Sequence, residues 1–149
     1  MRWKPTGDVE INVGVLGNSN DTLWEFRDFL VGLDAEADYK ISMMLAKDQE
    51  TILRVMSFIP GGFDIMLVAD RLFSSAYLEF TEKALRYNAD LRILFQNNSG
   101  KEYTDELHPH IMFVPNRDRL RELTKQEIDC LILEKITNEE KQNEQEGTG

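Results

Sequence analysis

The chain has 149 residues, 42% of them apolar, a formal net charge of −10 and one cysteine. Its length suits one domain with a sizeable buried core, and its apolar share excludes a wholly disordered chain. The acidic balance argues against a nucleic-acid binder, which needs a basic surface to neutralise phosphates, and favours proteins or small molecules as partners.

Cys130 alone cannot form an internal disulfide, which fits a reducing compartment. Its neighbours Leu131 and Ile132 point to a buried, unreactive thiol. Met1-Arg2-Trp3-Lys4-Pro5 has no apolar stretch behind its charges, so no signal peptide is expected. No apolar run approaches the roughly 18 residues that span a bilayer. A cytoplasmic protein with no membrane association is the expectation.

In chain order, the first apolar run is Ile11-Asn12-Val13-Gly14-Val15-Leu16, followed by the turn formers Gly17-Asn18-Ser19-Asn20. Helical spacing then begins at Leu23 and takes in Phe26, Phe29 and Leu30. Asp21 or Thr22 could cap this helix, with Glu25 completing a capping box after Thr22, and Gly32 is a candidate stop. A second run over 39–45 is more polar at its start and suits a sheet edge. A helix over 48–58 follows, with Ile52, Val55, Met56 and Ile59 on one side, broken by Pro60-Gly61-Gly62.

The third run, 63–68, is uniformly apolar after Asp64, as a strand covered on both faces should be. Ser74 or Ser75 opens a helix carrying Leu78, Thr81 and Leu85 that fades at Asn88. The fourth run, 91–95, leads into a polar loop over 96–100, and 103–107 could form one helical turn before His108-Pro109. The fifth run, 111–114, stops at Pro115, and a last helix covers 116–136. The remainder, 137–149, holds Glu139, Glu140, Glu144 and Glu146 and no large apolar residue, so a disordered acidic tail is expected. This divides the chain into an N-terminal extension (1–9), one α/β domain (10–136) and the tail (137–149). Strand–helix alternation with short strands implies a doubly wound, five-stranded parallel sheet of flavodoxin-like order 2-1-3-4-5.

Residues 39–70 resemble a CheY-like response-regulator receiver. The likeness lies in a second strand, a helix over 50–58, a turn, and Phe63-Asp64-Ile65. That triplet matches the last two positions of the family's Pro-Asp-Leu/Ile entry to its third strand. Pro115 after the fifth strand, followed by a helix rich in Leu and charge, is similar too, and the shared layout spans about 10–136. The resemblance implies a site at the carboxyl ends of the strands. There, acids after strand one hold Mg²⁺, an aspartate at the tip of strand three accepts phosphoryl, a Ser or Thr follows strand four, and a Lys precedes the proline.

This chain departs at each of those places. Asn18 follows strand one, Ala69 falls on the acceptor register with Asp70 one residue beyond, Gln96 or Asn97 follows strand four, and Val114 precedes Pro115. A one-residue shift turns a side chain elsewhere, so Asp70 would need a bulge to serve. The expectation is an atypical receiver that is not phosphorylated, is not an enzyme, uses no cofactor or metal, and signals through protein contacts, as a homodimer or with other partners. The resemblance places the docking face around Tyr103, His108, His110, Met112, Arg117 and Arg121.

Two readings of the strand-one loop stay open. Gly17, Asn18, Ser19 and Thr22, with Trp24 nearby, match a flavodoxin-type phosphate loop in composition, which makes a flavin- or nucleotide-binding protein the alternative function. The same stretch also reads as a tight strand-to-helix turn capped by Asp21 or Thr22, and no lysine stands between Lys4 and Lys40 to complete a P-loop. His108 and His110 flank Pro109 without companion ligands, and Ser74-Ser75 lacks a nearby base.

Overall fold

A computed structural model describes residues 9–37, 39–59, 62–69, 74–97, 101–106 and 108–148, with only the backbone described at 74–77 and 139–148. Six strands form one sheet: β1 (Glu10–Leu16), β2 (Lys40–Ala46), β3 (Ile65–Val68), β4 (Arg92–Gln96), β5 (Tyr103–Thr104) and β6 (Ile111–Val114). Their order is β2-β1-β3-β4-β6-β5, and every pairing is parallel except β5 with β6. The expected doubly wound order holds for the parallel strands, with β6 as the fifth. This is a flavodoxin-like, CheY-like α/β fold.

Four helices cover the sheet: α1 (Asn20–Glu36), α2 (Gln49–Met56), α3 (Ser74–Tyr87) and α4 (Arg117–Thr148). On one face Phe26 and Leu30 of α1 and Leu120, Leu123 and Ile128 of α4 pack with Ile11, Val13 and Val15 of β1. On the other, Ile52 and Met56 of α2 and Phe80 and Ala84 of α3 pack with Met66, Val68, Ile93 and Phe95. The middle strands are therefore buried on both sides, which is why β3 reads as an unbroken apolar run.

Several local expectations are corrected. Residues 103–104 form a short edge strand instead of a helical turn, because Tyr103 lies opposite Phe113 and their rings stack at 4.6 Å. Among the described residues between β4 and β6 there is consequently no helix. Gly32 does not end α1, which continues to Glu36, because it does not take the left-handed conformation that a terminating glycine adopts. The turn into β3 uses Gly62 in the left-handed region at φ 67, where a side chain would be strained.

Cys130 is exposed: Leu131 and Ile132 turn to the core, and Cys130 falls on the outer side of α4. The helix also continues through 137–148, where the sequence suggests disorder. Glu, Lys and Gln are good helix formers, and no proline or glycine interrupts the run before Gly147. No described helix is long and apolar enough to cross a membrane.

Candidate functional site

At the carboxyl ends of the strands β1 stops at Leu16, and the Gly17 amide donates to Ala46 O at 3.0 Å. Ser19, not Asp21 or Thr22, caps α1. Its Oγ accepts from the Thr22 amide at 3.2 Å and lies 2.9 Å from Thr22 Oγ1. The Leu23 amide donates to Ser19 O at 3.1 Å. One of the free amides an anion would need, that of Thr22, is thus already engaged, and Thr22 is buried.

Ala69 sits directly after β3, is 1% exposed, and donates its amide to Leu16 O at 2.9 Å. Val114, at the place where the receiver pattern has lysine, is 0% exposed among the apolar residues under α1 and α4. Asp70 lies outside the described residues. Gln96 ends β4, half-buried, and its Oε1 accepts from Arg117 Nε at 3.3 Å. Among the described residues no group of three or more His, Cys, Asp and Glu side chains is gathered for a metal.

Arg117 is the tip residue that sequence reasoning misplaced. As the first residue of α4 it points its side chain back toward the strand ends, a direction set by helix geometry. Besides Gln96, it meets Glu25 Oε2 at 2.9 Å and stands over the Phe26 ring at 5.8 Å. Arg121 also pairs with Glu25, and with Asp118. These two arginines therefore bind α4 to α1.

Met112 of the expected docking face is half-buried against the α1–α4 layer. Tyr103, 51% exposed, and the exposed His108 and His110 keep that end of the sheet open. Tyr103, Phe113 and Phe95 form an aromatic row, the second pair stacked at 5.2 Å. Beside it, Arg119 pairs with Glu102, whose hydrogen bond holds the Glu102 carboxyl below the usual range.

At the opposite end of the strands lies a polar cluster around Asp64, the acid of the Phe63-Asp64-Ile65 triplet. The Asp64 carboxylate accepts from the Asn12 amide at 2.8 Å and from Lys135 Nζ at 3.1 Å. Arg92, with a side chain only 8% exposed, donates through Nη2 to Glu134 at 2.8 Å. Its Nε lies 2.8 Å from Glu127 Oε2 but makes no hydrogen bond there, and Nη1 is buried without a hydrogen-bond partner. A cavity of about 410 Å³ adjoins Asp64, Arg92, His110 and Lys135. In the sequence, Asp64 stands out through its triplet, and Arg92 only as a charge inside an apolar strand. His110 thus belongs to this end of the molecule, away from Arg117 and Arg121.

Two solved structures are similar to the chain. One is described as a pilus assembly-related protein from Burkholderia pseudomallei, with 16% identity, a TM-score of 0.53, and coverage of 85% of this chain and 92% of that one. The other is described as a pilus assembly protein, CpaE, from Burkholderia thailandensis, with 17% identity, a TM-score of 0.53, and coverage of 80% of this chain and 98% of that one. No family model and no curated protein matches the chain. At such identity the likeness establishes the fold.

Proposed function

We propose that this chain is a receiver-like regulatory domain that acts without phosphorylation, through protein contacts made at the β5–β6 end of the sheet. The observation that carries the reading is the apolar filling of the tip. Ala69 and Val114, at the acceptor and lysine positions of the receiver pattern, are both buried. Phosphoryl transfer needs charges that neutralise the moving group, and a methyl and an isopropyl group supply none.

The docking end follows from what is left uncovered. With no helix described between β4 and β6, the aromatic row ends at Tyr103 in solvent, and His108, in the turn between β5 and β6, is exposed as well. Aromatic residues at such an edge are the usual anchors of a protein interface. The two similar structures are described as pilus assembly proteins. A scaffolding or regulatory part in a multiprotein assembly machine is in keeping with that, and a cytoplasmic, non-enzymatic role with the rest. The flavin-binding alternative draws no support from a loop whose Thr22 amide is already bonded to Ser19.

Incubation with Mg²⁺ and acetyl phosphate, followed by intact-mass measurement, tests the reading. An unmodified mass is expected. A stoichiometric phosphate adduct, on Asp70 above all, would overturn it.

A further inference from the structure

The sheet ends on one side at β5 and on the other at β2, and the second edge is the more unusual. In a parallel pair, alternate residues of an edge strand aim both backbone groups at their neighbour. The Lys40 amide donates to Val9 O at 2.9 Å, and Ala46 O accepts from Gly17 at 3.0 Å, so 40, 42, 44 and 46 face β1. Ile41, Met43 and Leu45 therefore turn their N–H and C=O groups away from the sheet. Asp34, near the end of α1, takes the Ile41 amide at 2.8 Å. Among the described residues no hydrogen bond reaches the outward groups of Met43 or Leu45.

Natural sheets shield long edges with prolines, bulges or charges along the strand. β2 has seven residues in unbroken register with β1, no proline, and one charge, Lys40, at its start. Met44 is 36% exposed, and Met43 and Leu45 are half-buried.

We propose that a second copy of this chain adds to this edge, antiparallel, about a two-fold axis at Met43. The outward residues are symmetric about that point: Met43 meets its copy, and Ile41 meets Leu45. The two Met43 residues exchange a pair of hydrogen bonds, and each Leu45 amide donates to the opposite Ile41 carbonyl. The cross-strand neighbours are then Ile with Leu, Met with Met, Ser42 with Met44 and Lys40 with Ala46, so no like charges oppose one another. Lys40 falls diagonal to Asp48 of the copy, an opposite charge. A polar strand would instead set its side chains against Met43, Met44 and Leu45. This interface lies at the far edge from β5, so it stands or falls apart from the receiver reading.

Sedimentation velocity and light scattering on the full chain over a wide concentration range test it. A dimer is expected. Met43→Pro removes the outward donor and leaves the β1 ladder intact, at the cost of a half-buried side chain packed on the core, so self-association should weaken at least about tenfold, with circular dichroism on the same sample checking that the monomer is folded. Met43→Lys sets two lysines face to face on the axis and should do the same if the proline variant misfolds. Asp34→Ala frees the Ile41 amide for the opposite Leu45 carbonyl and should tighten the dimer. A monomeric wild type, or a dimer indifferent to both Met43 variants, would overturn the proposal. Failure of Asp34→Ala to tighten it would overturn the register.

Discussion

Replacing Arg92 with Met removes a buried cation while keeping much of its unbranched aliphatic volume. The guanidinium stands between Glu127, whose side chain is 19% exposed, and Glu134, which is 59% exposed. Glu134 can turn to water when the arginine is lost. Glu127 is held against the sheet and is left nearly uncompensated, at about 3 kcal/mol by the usual cost of breaking a buried pair. Against this, the variant eliminates Nη1, a relief of about 1 kcal/mol, and Nε, which makes no hydrogen bond but whose burial is offset by the Glu127 charge beside it. The net is a loss of about 2 kcal/mol, or a midpoint lower by about 4–8 °C in a chain of this size. Urea and thermal unfolding of Arg92→Met, Glu127→Gln and the double variant measure it. Adding Glu127→Gln should recover most of the loss, because the stranded charge is its source. Additive effects, or a neutral Arg92→Met, would refute the reasoning.

Gly14 faces Met66 Sδ and Phe63 Cδ2, each 2.9 Å from where a Cβ would stand. The methionine can swing aside but the buried Phe63 ring has nowhere to go, so Gly14→Ala should lower stability by about 1–3 kcal/mol in urea unfolding. Glu102, hydrogen-bonded by Arg119, and Asp48, hydrogen-bonded by Thr51, both have carboxyls held below their ordinary range. Their stabilisation is present above the unfolded values of about 4.3 and 3.9 and is lost as pH falls through the lower folded values. Both are exposed, so Glu102→Gln should flatten the acid side of pH-scanned melts only slightly. Tyr39 is pushed up by burial and by nearby Asp129 and Asp34. Its contribution is present below about 10 and lost as pH rises through the raised folded value, so Tyr39→Phe should flatten the alkaline side.

Strand and helix periods carried most of the architecture because they record burial directly. The uniform run at β3 and the three-and-four spacing at Leu23, Phe26 and Leu30 both reappear as core. The edge strand at Tyr103 was illegible because it depends on a ring 10 residues away in sequence, at Phe113, and local propensity carries no trace of that stack. The helix cap shifted from Thr22 to Ser19 for a related reason. Thr22 stands at the third helical position, where Glu or Gln is the familiar signal, so the box was read one turn late. In the sequence the resemblance puts Arg117 and Arg121 on a docking face; only the packing of α4 on α1 brings Glu25 between them. The Arg92 cluster likewise joins β3, β4 and α4, segments far apart in the chain.

The proposal that the strand tips carry out no phosphoryl transfer has its most direct test in Mg²⁺ binding, which precedes transfer and does not depend on the choice of phosphodonor. Amide chemical shifts of the full chain can be followed as Mg²⁺ is raised, with attention to Gly17, Asn18, Ala69, Asp70 and Gln96. Only weak, non-saturating drift is expected there. A saturable one-to-one response centred on those residues would contradict the account.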